Sequence, residues 1–410
     1  MVSTTTQSGE IVRRDALPHF MNASGRTFGE EEEQLVLEAL RSGCLSKTGG
    51  SMVRRLEQEF AAMLDLPFAT ACSSGTAAVH LCLSALHLEP GDEIIVPPVT
   101  DIGTILPILW QNAVPVFADV EPLTMTLDPN DVCQKITGRT RAIIAVHVAG
   151  QMCDMASLRK LADERKLVLI EDCSQAYWAE YKGNLAGTIG DMACFSLQQS
   201  KHVTCGEGGL MVTHNAQYAR TVGLFADKAW PRDINSLGSG RFLFLAQNYR
   251  MSELQGAVAL AQIRRVQTVV SHRRRSAELL TSLLGNTTAV TTPYIPAGTK
   301  HSYWLYLLRV AQPKNGTNTQ RIGDALVAQG VPAWIRYIVD PLYLSPLFTE
   351  PATYGTSGYP FRDFGTQRFE RGLCPHAEAA LDSVIAIHWN ENLTDVHVRE
   401  VAAAISNAAH

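Results

Sequence analysis

Between Phe68 and Asp172 the chain repeats one alternation: a short apolar run, a turn, then a segment of helical period. The runs are Phe68–Cys72, Glu93–Val96, Val114–Ala118, Arg141–Val146 and Leu167–Ile170. Between them lie Ala77–Leu86, Ile102–Gln111, Pro129–Ile136 and Met155–Arg165, which read as helices. Continuous Val/Ile strands must be covered on both faces. The pattern therefore predicts an α/β fold, a mostly parallel sheet between helices. In such sheets ligands bind beyond the carboxyl ends of the strands.

Two of those ends, and that of a later run, carry suggestive residues. After Cys72 comes Ser73-Ser74-Gly75-Thr76 and an apolar helix, an arrangement that presents free backbone N–H groups to an anion. It is neither a Walker loop nor a dinucleotide fingerprint. A small phosphate would suit it, although most such turns are only helix caps. The Leu167 run ends in Glu171-Asp172; a lone Asp there is by default also a cap. The strand-like run Met192–Leu197 leads through Gln198-Gln199-Ser200 to Lys201, then a turn, Gly206-Glu207-Gly208-Gly209, and a second apolar run, Leu210–Val212. A lysine is costly to bury, and burial lowers its pKa and frees the amine for Schiff-base chemistry. Any single lysine is more often a surface residue.

Together the three mean more. Pyridoxal 5′-phosphate (PLP) needs a carboxylate that keeps its pyridine nitrogen protonated, a lysine for its aldehyde and a helix N-terminus for its phosphate. Asp172, Lys201 and Ser74–Thr76 supply that set within one α/β unit.

The flanks are less informative. Residues 1–26 read as irregular. Thr27 with Glu30 fits a capping box ahead of a helix with Val36, Ala39 and Leu40 on one face; a second helix covers Val53–Leu64. Asn215–Phe225 is a helix, and Asp227–Gly240 a Gly/Ser-rich loop. After Asn248-Tyr249-Arg250-Met251, a long helix carries Leu254, Ala257, Val258 and Ala261 as its buried stripe. Residues 27–268 thus form a large domain and 269–410 a smaller α+β domain. The latter has strands at Ser302–Leu308 and Trp334–Val339 and helices at Arg321–Gln329, Ala377–Val384 and Val396–Ile405. Its 342–369 stretch is a Pro/Gly/aromatic-rich loop, read as a substrate lid or a dimer contact.

Composition removes other classes. With 410 residues, 46% hydrophobic and 18% charged, the chain is ordinary for a soluble globular protein. Its net charge of −5 and lack of a long basic run speak against nucleic acid. No run reaches membrane-span length, and the polar N-terminus is unlike a signal peptide. Nine cysteines without a Cys-x-x-Cys pair indicate reduced thiols and no zinc site, and with them a cytoplasmic protein.

The motifs Ser74-Gly75-Thr76-Ala77-Ala78, Glu171-Asp172-Cys-Ser-Gln175-Ala176, Gly187-x-x-Gly190-Asp191, Phe195-Ser196-x-Gln-Gln-Ser-Lys201 with Gly206–Gly209, and Asn248-Tyr249-Arg250-Met251 resemble those of the DegT/StrS-type PLP-dependent aminotransferases of fold type I. The resemblance runs from about Thr27 to the end of the chain. It implies that Lys201 holds the cofactor aldehyde and moves protons between cofactor and substrate carbons. Asp172 would pair with the pyridinium nitrogen, Gln175 lie against the ring, and Ser74, Gly75, Thr76 and Ser196 bind the phosphate. Asn248 would reach the phosphate of a neighbouring subunit, making the active unit a homodimer with shared sites. The implied reaction passes an amino group from glutamate or glutamine, through pyridoxamine phosphate (PMP), to a keto sugar, nucleotide-linked or free, or a keto-cyclitol. Such enzymes are common in antibiotic and polysaccharide assembly. The alternatives are a 3-amino-5-hydroxybenzoate synthase-like enzyme, a dehydratase, which Lys201 opposes, and a non-catalytic partner subunit.

One position departs from the family. An aromatic that stacks on the cofactor ring is expected where this chain has Asp101; either Ile102 or a shifted loop replaces it, or Asp101 contacts substrate. Lys228, Trp230, Arg250, His301, Tyr303 and Tyr337 complete the candidate substrate contacts. His202 is expected to point away from Lys201, because side chains alternate along an extended segment.

Overall fold

The computed structural model describes residues 16–232, 241–285, 287–314, 316–350 and 352–409. Its larger sheet contains β1 (Phe68–Cys72), β2 (Glu93–Val96), β3 (Val114–Phe117), β4 (Thr140–Val146), β5 (Val168–Asp172), β6 (Met192–Ser196) and β7 (Gly209–Thr213). The strand order is β1-β7-β6-β5-β4-β2-β3. β7 alone runs antiparallel to its neighbours. The carboxyl ends of β1, β2, β5 and β6 therefore open on one side, and the loops after them can meet. Alternation along β4 shows how the sheet is covered: Ile143 and Ala145 enter one core, Ala142, Ile144 and Val146 the other.

On one face lie α1 (Glu30–Arg41), α2 (Met52–Met63), α6 (Met155–Arg165) and α8 (Glu253–Arg264); on the other lie α3 (Gly75–Ser84) and α4 (Leu106–Trp110). α5 (Pro129–Lys135) and α7 (Ala216–Phe225) complete this part. Beyond it α9 (Val266–Leu284) carries Val266 and Val270 into the first core and Ala277, Leu280 and Leu284 into another. The 268/269 boundary read from the sequence falls inside this helix. That further core lies on an antiparallel sheet of β8 (Val290–Thr291), β9 (Leu305–Val310), β10 (Ala333–Ile335) and β11 (Val384–His388), in the order β8-β9-β11-β10. α10 (Thr317–Ala328) and α14 (Asp395–Ala409) pack on it.

Several expectations need correction. Thr27 and Glu30 make no capping box. α1 starts after Gly29, whose N–H donates to Glu32 Oε2 at 2.8 Å, and the helix buries Leu35 and Ala39 while Leu40 is half exposed. The tertiary partner of α1 decides its inward face: Glu32 accepts from Gln262 of α8 and pairs with Arg265. α8 is buried well beyond one stripe. Gly256, Ala259, Leu260 and Ile263 are enclosed, whereas Leu254 and Val258 are only half-buried, because α1 and α2 both pack on this helix. The expected helix Ile102–Gln111 splits into a 3-10 turn, Ile102–Thr104, and α4.

The 342–369 stretch is not an open loop. It folds into short turns that include α11 (Pro346–Thr349) and α12 (Phe361–Phe364), ahead of α13 (Pro375–Ser383). Phe348 and Phe369 contact Phe117 of β3 edge-on, with ring centroids at 5.3 and 6.0 Å. Gln367 accepts from the Phe117 N–H at 2.7 Å and donates to its carbonyl at 2.9 Å. The segment thus covers an otherwise exposed edge strand, which accounts for its aromatic content. The residues of the Asp227–Gly240 loop from 233 on, and residues 1–15, lie outside the described residues.

Candidate active site

The loops after β1, β2, β5 and β6 enclose a cavity of about 350 Å³. From β1 comes the N-terminus of α3. Ser74 caps it, its Oγ accepting from the Ala77 N–H at 3.0 Å, which leaves the N–H groups of Gly75 and Thr76 at the helix head. Two close approaches shape this cradle. A Cβ on Gly75 would lie 2.7 Å from that of Ser196, and a Cβ on Gly209 would lie 2.6 Å from the Ser74 carbonyl carbon. From β5 comes Asp172, held by two donors: Thr104 Oγ1 to Oδ2 at 2.9 Å and Ser174 N–H to Oδ1 at 3.1 Å. Thr104 in turn contacts Thr100 Oγ1 at 2.8 Å.

Lys201 lies in the turn after β6 and is buried. Its Nζ sits 3.9 Å from the Trp304 ring centroid and, among the described residues, makes no hydrogen bond or ion pair. Burial lowers its pKa to about 8, against the opposing pull of Asp101 and Asp172. The neighbouring charges are thus anionic, and desolvation is what lowers the pKa. The segment around His202 is a turn, not extended, so alternation does not apply; its Nε2 contacts the Ser302 carbonyl at 3.0 Å, and burial holds its pKa well below the usual histidine value.

Gln175 is fixed at both ends. Its Oε1 accepts from the Ala149 N–H at 2.8 Å and its Nε2 donates to Tyr337 Oη at 2.7 Å. The Ala149 carbonyl accepts from the Trp304 N–H at 2.9 Å, so one backbone turn positions both Gln175 and Trp304. Behind Asp172, Glu171 is buried and accepts from the N–H groups of Gly187, Ile189 and Gly190 and from His147 at 3.0 Å. Burial pushes the Glu171 pKa up, but the His147 contact and the backbone donors outweigh it and leave it lowered. For His147 burial acts downward and is outweighed by its bonds to Cys153, Cys173 and Glu171, so its pKa is raised. His147, Glu171 and Cys173 lie close enough to suggest metal ligands, yet both Glu171 oxygens are already engaged.

The sequence model of the DegT/DnrJ/EryC1/StrS aminotransferase family matches residues 26–406. The chain belongs to this family. It is 35% identical over 342 residues to GDP-perosamine synthase of Caulobacter vibrioides, covering 82% of this chain and 89% of that protein. It is also 35% identical over 329 residues to L-glutamine:2-deoxy-scyllo-inosose aminotransferase of Streptomyces kanamyceticus, covering 77% and 76%. Among solved structures, 3-amino-5-hydroxybenzoic acid synthase superposes with a TM-score of 0.85 at 27% identity, covering 96% of this chain and 99% of that one. The protein is an aminotransferase of fold type I, a PLP-dependent family.

The aminotransferase site suits that cofactor on its own chemistry. Gly75, Thr76 and Ser196 line a concavity that a Cβ on Gly75 would fill. Lys201 is a buried amine without a committed partner among the described residues, and Asp172 is an oriented carboxylate at the neighbouring strand end.

Of the residues named from the sequence, Ser74, Gly75, Thr76, Asp101, Asp172, Gln175, Ser196 and Lys201 line this cavity. Tyr337 lines an adjoining one and holds Gln175. The others stand apart. His301 and Tyr303 are buried in packing: the Tyr303 N–H donates to His301 Nδ1 at 2.8 Å, and burial lowers the His301 pKa to about 3. Lys228 lies over Trp230 at 5.4 Å, Arg250 pairs with Asp227, and Asn248 is exposed beside Asp227. Ile102 does not line the cavity; the aromatic side chains that do are Trp304 and Trp334. Sequence reasoning missed Thr104, Trp304 and Trp334. Thr104 stood in the segment after β2 that was already in question. Trp334 lies in β10 and Trp304 just before β9, far along the chain, and neither carried a local signal.

Proposed function

We propose that this chain transfers an amino group from glutamine or glutamate to the ketone of a sugar or cyclitol ring, with Lys201 and Asp172 as its catalytic residues. One observation carries the reading: a buried lysine without a hydrogen-bond or ion-pair partner among the described residues, an oriented carboxylate and an open helix N-terminus line a single cavity. PLP, when bound, supplies an electron sink for the carbon that loses its proton. Lys201 Nζ would hold the cofactor aldehyde and then carry a proton between substrate and cofactor carbons, a role suited to an amine with a pKa of about 8. Asp172, kept in place by Thr104 and Ser174, would pair with the ring nitrogen and hold its proton. Gln175 would lie against the ring. The Gly75 and Thr76 N–H groups, with the Ser74, Thr76 and Ser196 hydroxyls, would take the phosphate. The relatives' names support a sugar or cyclitol acceptor and, for one, glutamine as donor.

The same reading places the enzyme in the cytoplasm, in antibiotic or polysaccharide assembly. It also makes the enzyme a homodimer in which exposed Asn248 serves the partner's site and Lys228, Trp230 and Arg250 lie near it. Residues 27–268 and 269–410 are its two domains.

An absorbance spectrum tests the core of it. The purified protein with PLP should show the band of lysine-bound cofactor, glutamine or glutamate should convert it to that of PMP, and Lys201→Ala should abolish it. A protein that takes up no PLP refutes the reading.

A further inference from the structure

The cavity does not end at the cofactor residues. A second space of about 580 Å³ adjoins it, walled by β10, by the segment 336–339 that follows it and by Gln320. Asp101, Lys201, Trp304 and Trp334 line both spaces, so whatever enters from the outer one meets the reactive amine between these side chains. Trp304 and Trp334 stand 6.0 Å apart at 63° and form an aromatic corner. Trp304 is pinned there, its Nε1 donating to the Ser200 carbonyl at 2.8 Å.

Asp101 lines both spaces with that corner. Its Oδ1 accepts from the Gly103 N–H at 2.7 Å, which fixes the carboxylate, while Oδ2 has no partner among the described residues. The other charges of the outer space are committed. Arg336 pairs with Asp382 at 3.1 Å and donates to the Val339 carbonyl, and Lys201 is the reacting amine. The free charge at the junction is therefore negative. It accepts hydroxyl or ammonium donors and disfavours an anionic group set directly against it.

We propose that Asp101 is a specificity-determining residue: its free oxygen binds a hydroxyl or ammonium group of the acceptor ring while Trp304 and Trp334 receive the ring's C–H face, so the enzyme selects neutral or cationic polyol ketones over phosphorylated ones. This inference rests on the aminotransferase reading above. It explains why a carboxylate stands where an aromatic was expected: the aromatic surface comes from the second sheet instead.

The test uses the PLP-loaded enzyme. Calorimetric titration with myo-inositol and with myo-inositol 1-phosphate compares a neutral ring with its anionic counterpart, neither of which can be aminated. Wild type should bind the neutral ring at least tenfold more tightly. Asp101→Asn keeps an oxygen for the Gly103 N–H; Asp101→Ser is the substitute if that variant does not fold. Either variant should weaken the neutral ring about tenfold without weakening the phosphate, whereas Trp334→Ala should weaken both equally. With scyllo-inosose as acceptor, Asp101→Asn should raise KM about tenfold and change kcat less than threefold. The inference is overturned by an unchanged neutral-to-phosphate ratio in the Asp101 variant, by wild-type preference for the phosphate, or by failure to bind either ring. If the wild-type cofactor band and its response to glutamine are intact in those cases, only the role of Asp101 falls. Loss of that band overturns the aminotransferase reading itself.

Discussion

Gly209→Ala tests whether the phosphate cradle depends on two backbones in contact. Gly209 opens β7 and pairs with Cys72 on one side and Ser196 on the other. Its backbone is in a region that alanine adopts without strain, so the effect is one of space alone. The new Cβ would sit 2.6 Å from the Ser74 carbonyl carbon, 3.0 Å from the Gly75 nitrogen, and closer still to the Ser74 oxygen. All three are backbone atoms and cannot rotate away. The Ser74–Gly75 peptide must move, and it carries the first N–H of α3. Overpacking of this kind costs roughly 1–3 kcal/mol of folding stability. Losing one charge-assisted bond to a phosphate costs about 1.5–3 kcal/mol, or roughly 10- to 150-fold in cofactor affinity. Urea denaturation and equilibrium titration with PLP measure the two. Gly138→Ala, at an exposed turn with nothing within 4 Å of the new Cβ, is the matched control and should change neither. Wild-type PLP affinity in Gly209→Ala would refute the cradle argument.

Other consequences follow from the same geometry. Thr104→Val removes one of the two donors to Asp172 and should lower kcat by about tenfold, the effect of roughly 1.4 kcal/mol, with the protein still folded by circular dichroism. In cofactor-free protein, the reaction of Lys201 with a small aldehyde should rise with pH through a midpoint near 8; a midpoint near the ordinary lysine value would contradict its burial. Between that value and about 10.5 the unfolded chain holds the Lys201 proton and the folded one does not, so this residue makes stability rise with pH across that window. Lys201→Met should remove that slope and stabilise the cofactor-free protein at neutral pH by roughly 3 kcal/mol, readable in denaturation midpoints. Glu171→Gln breaks a buried pair with His147 and weakens the hold on the 187–190 turn; it should destabilise the fold by about 3–5 kcal/mol by the same measurement.

The larger sheet, and the residues at its carboxyl edge that line the cavity, were legible in the sequence. Strand and helix periods are local signals, and the residues at the ends of β1, β5 and β6 are placed by their own strands. Ser74–Thr76, Asp172 and Lys201 were therefore legible once the alternation was seen. The parallel direction of β1, β2, β5 and β6 then brings them to one edge. The rest of the site depends on contacts across long separations. Trp334 lies in β10, and Trp304 just before β9, of an antiparallel sheet whose position over the cavity depends on how the cores meet along α9. The inward face of α1 depends on Gln262 and Arg265, far along the chain. The aromatics of 342–369 were legible as unusual but not as the cover of β3, because an edge strand is an edge only once the sheet is assembled. Hydrophobic period reports which face of an element is buried. It does not report what lies against that face, and the outer end of this cavity is built from such contacts.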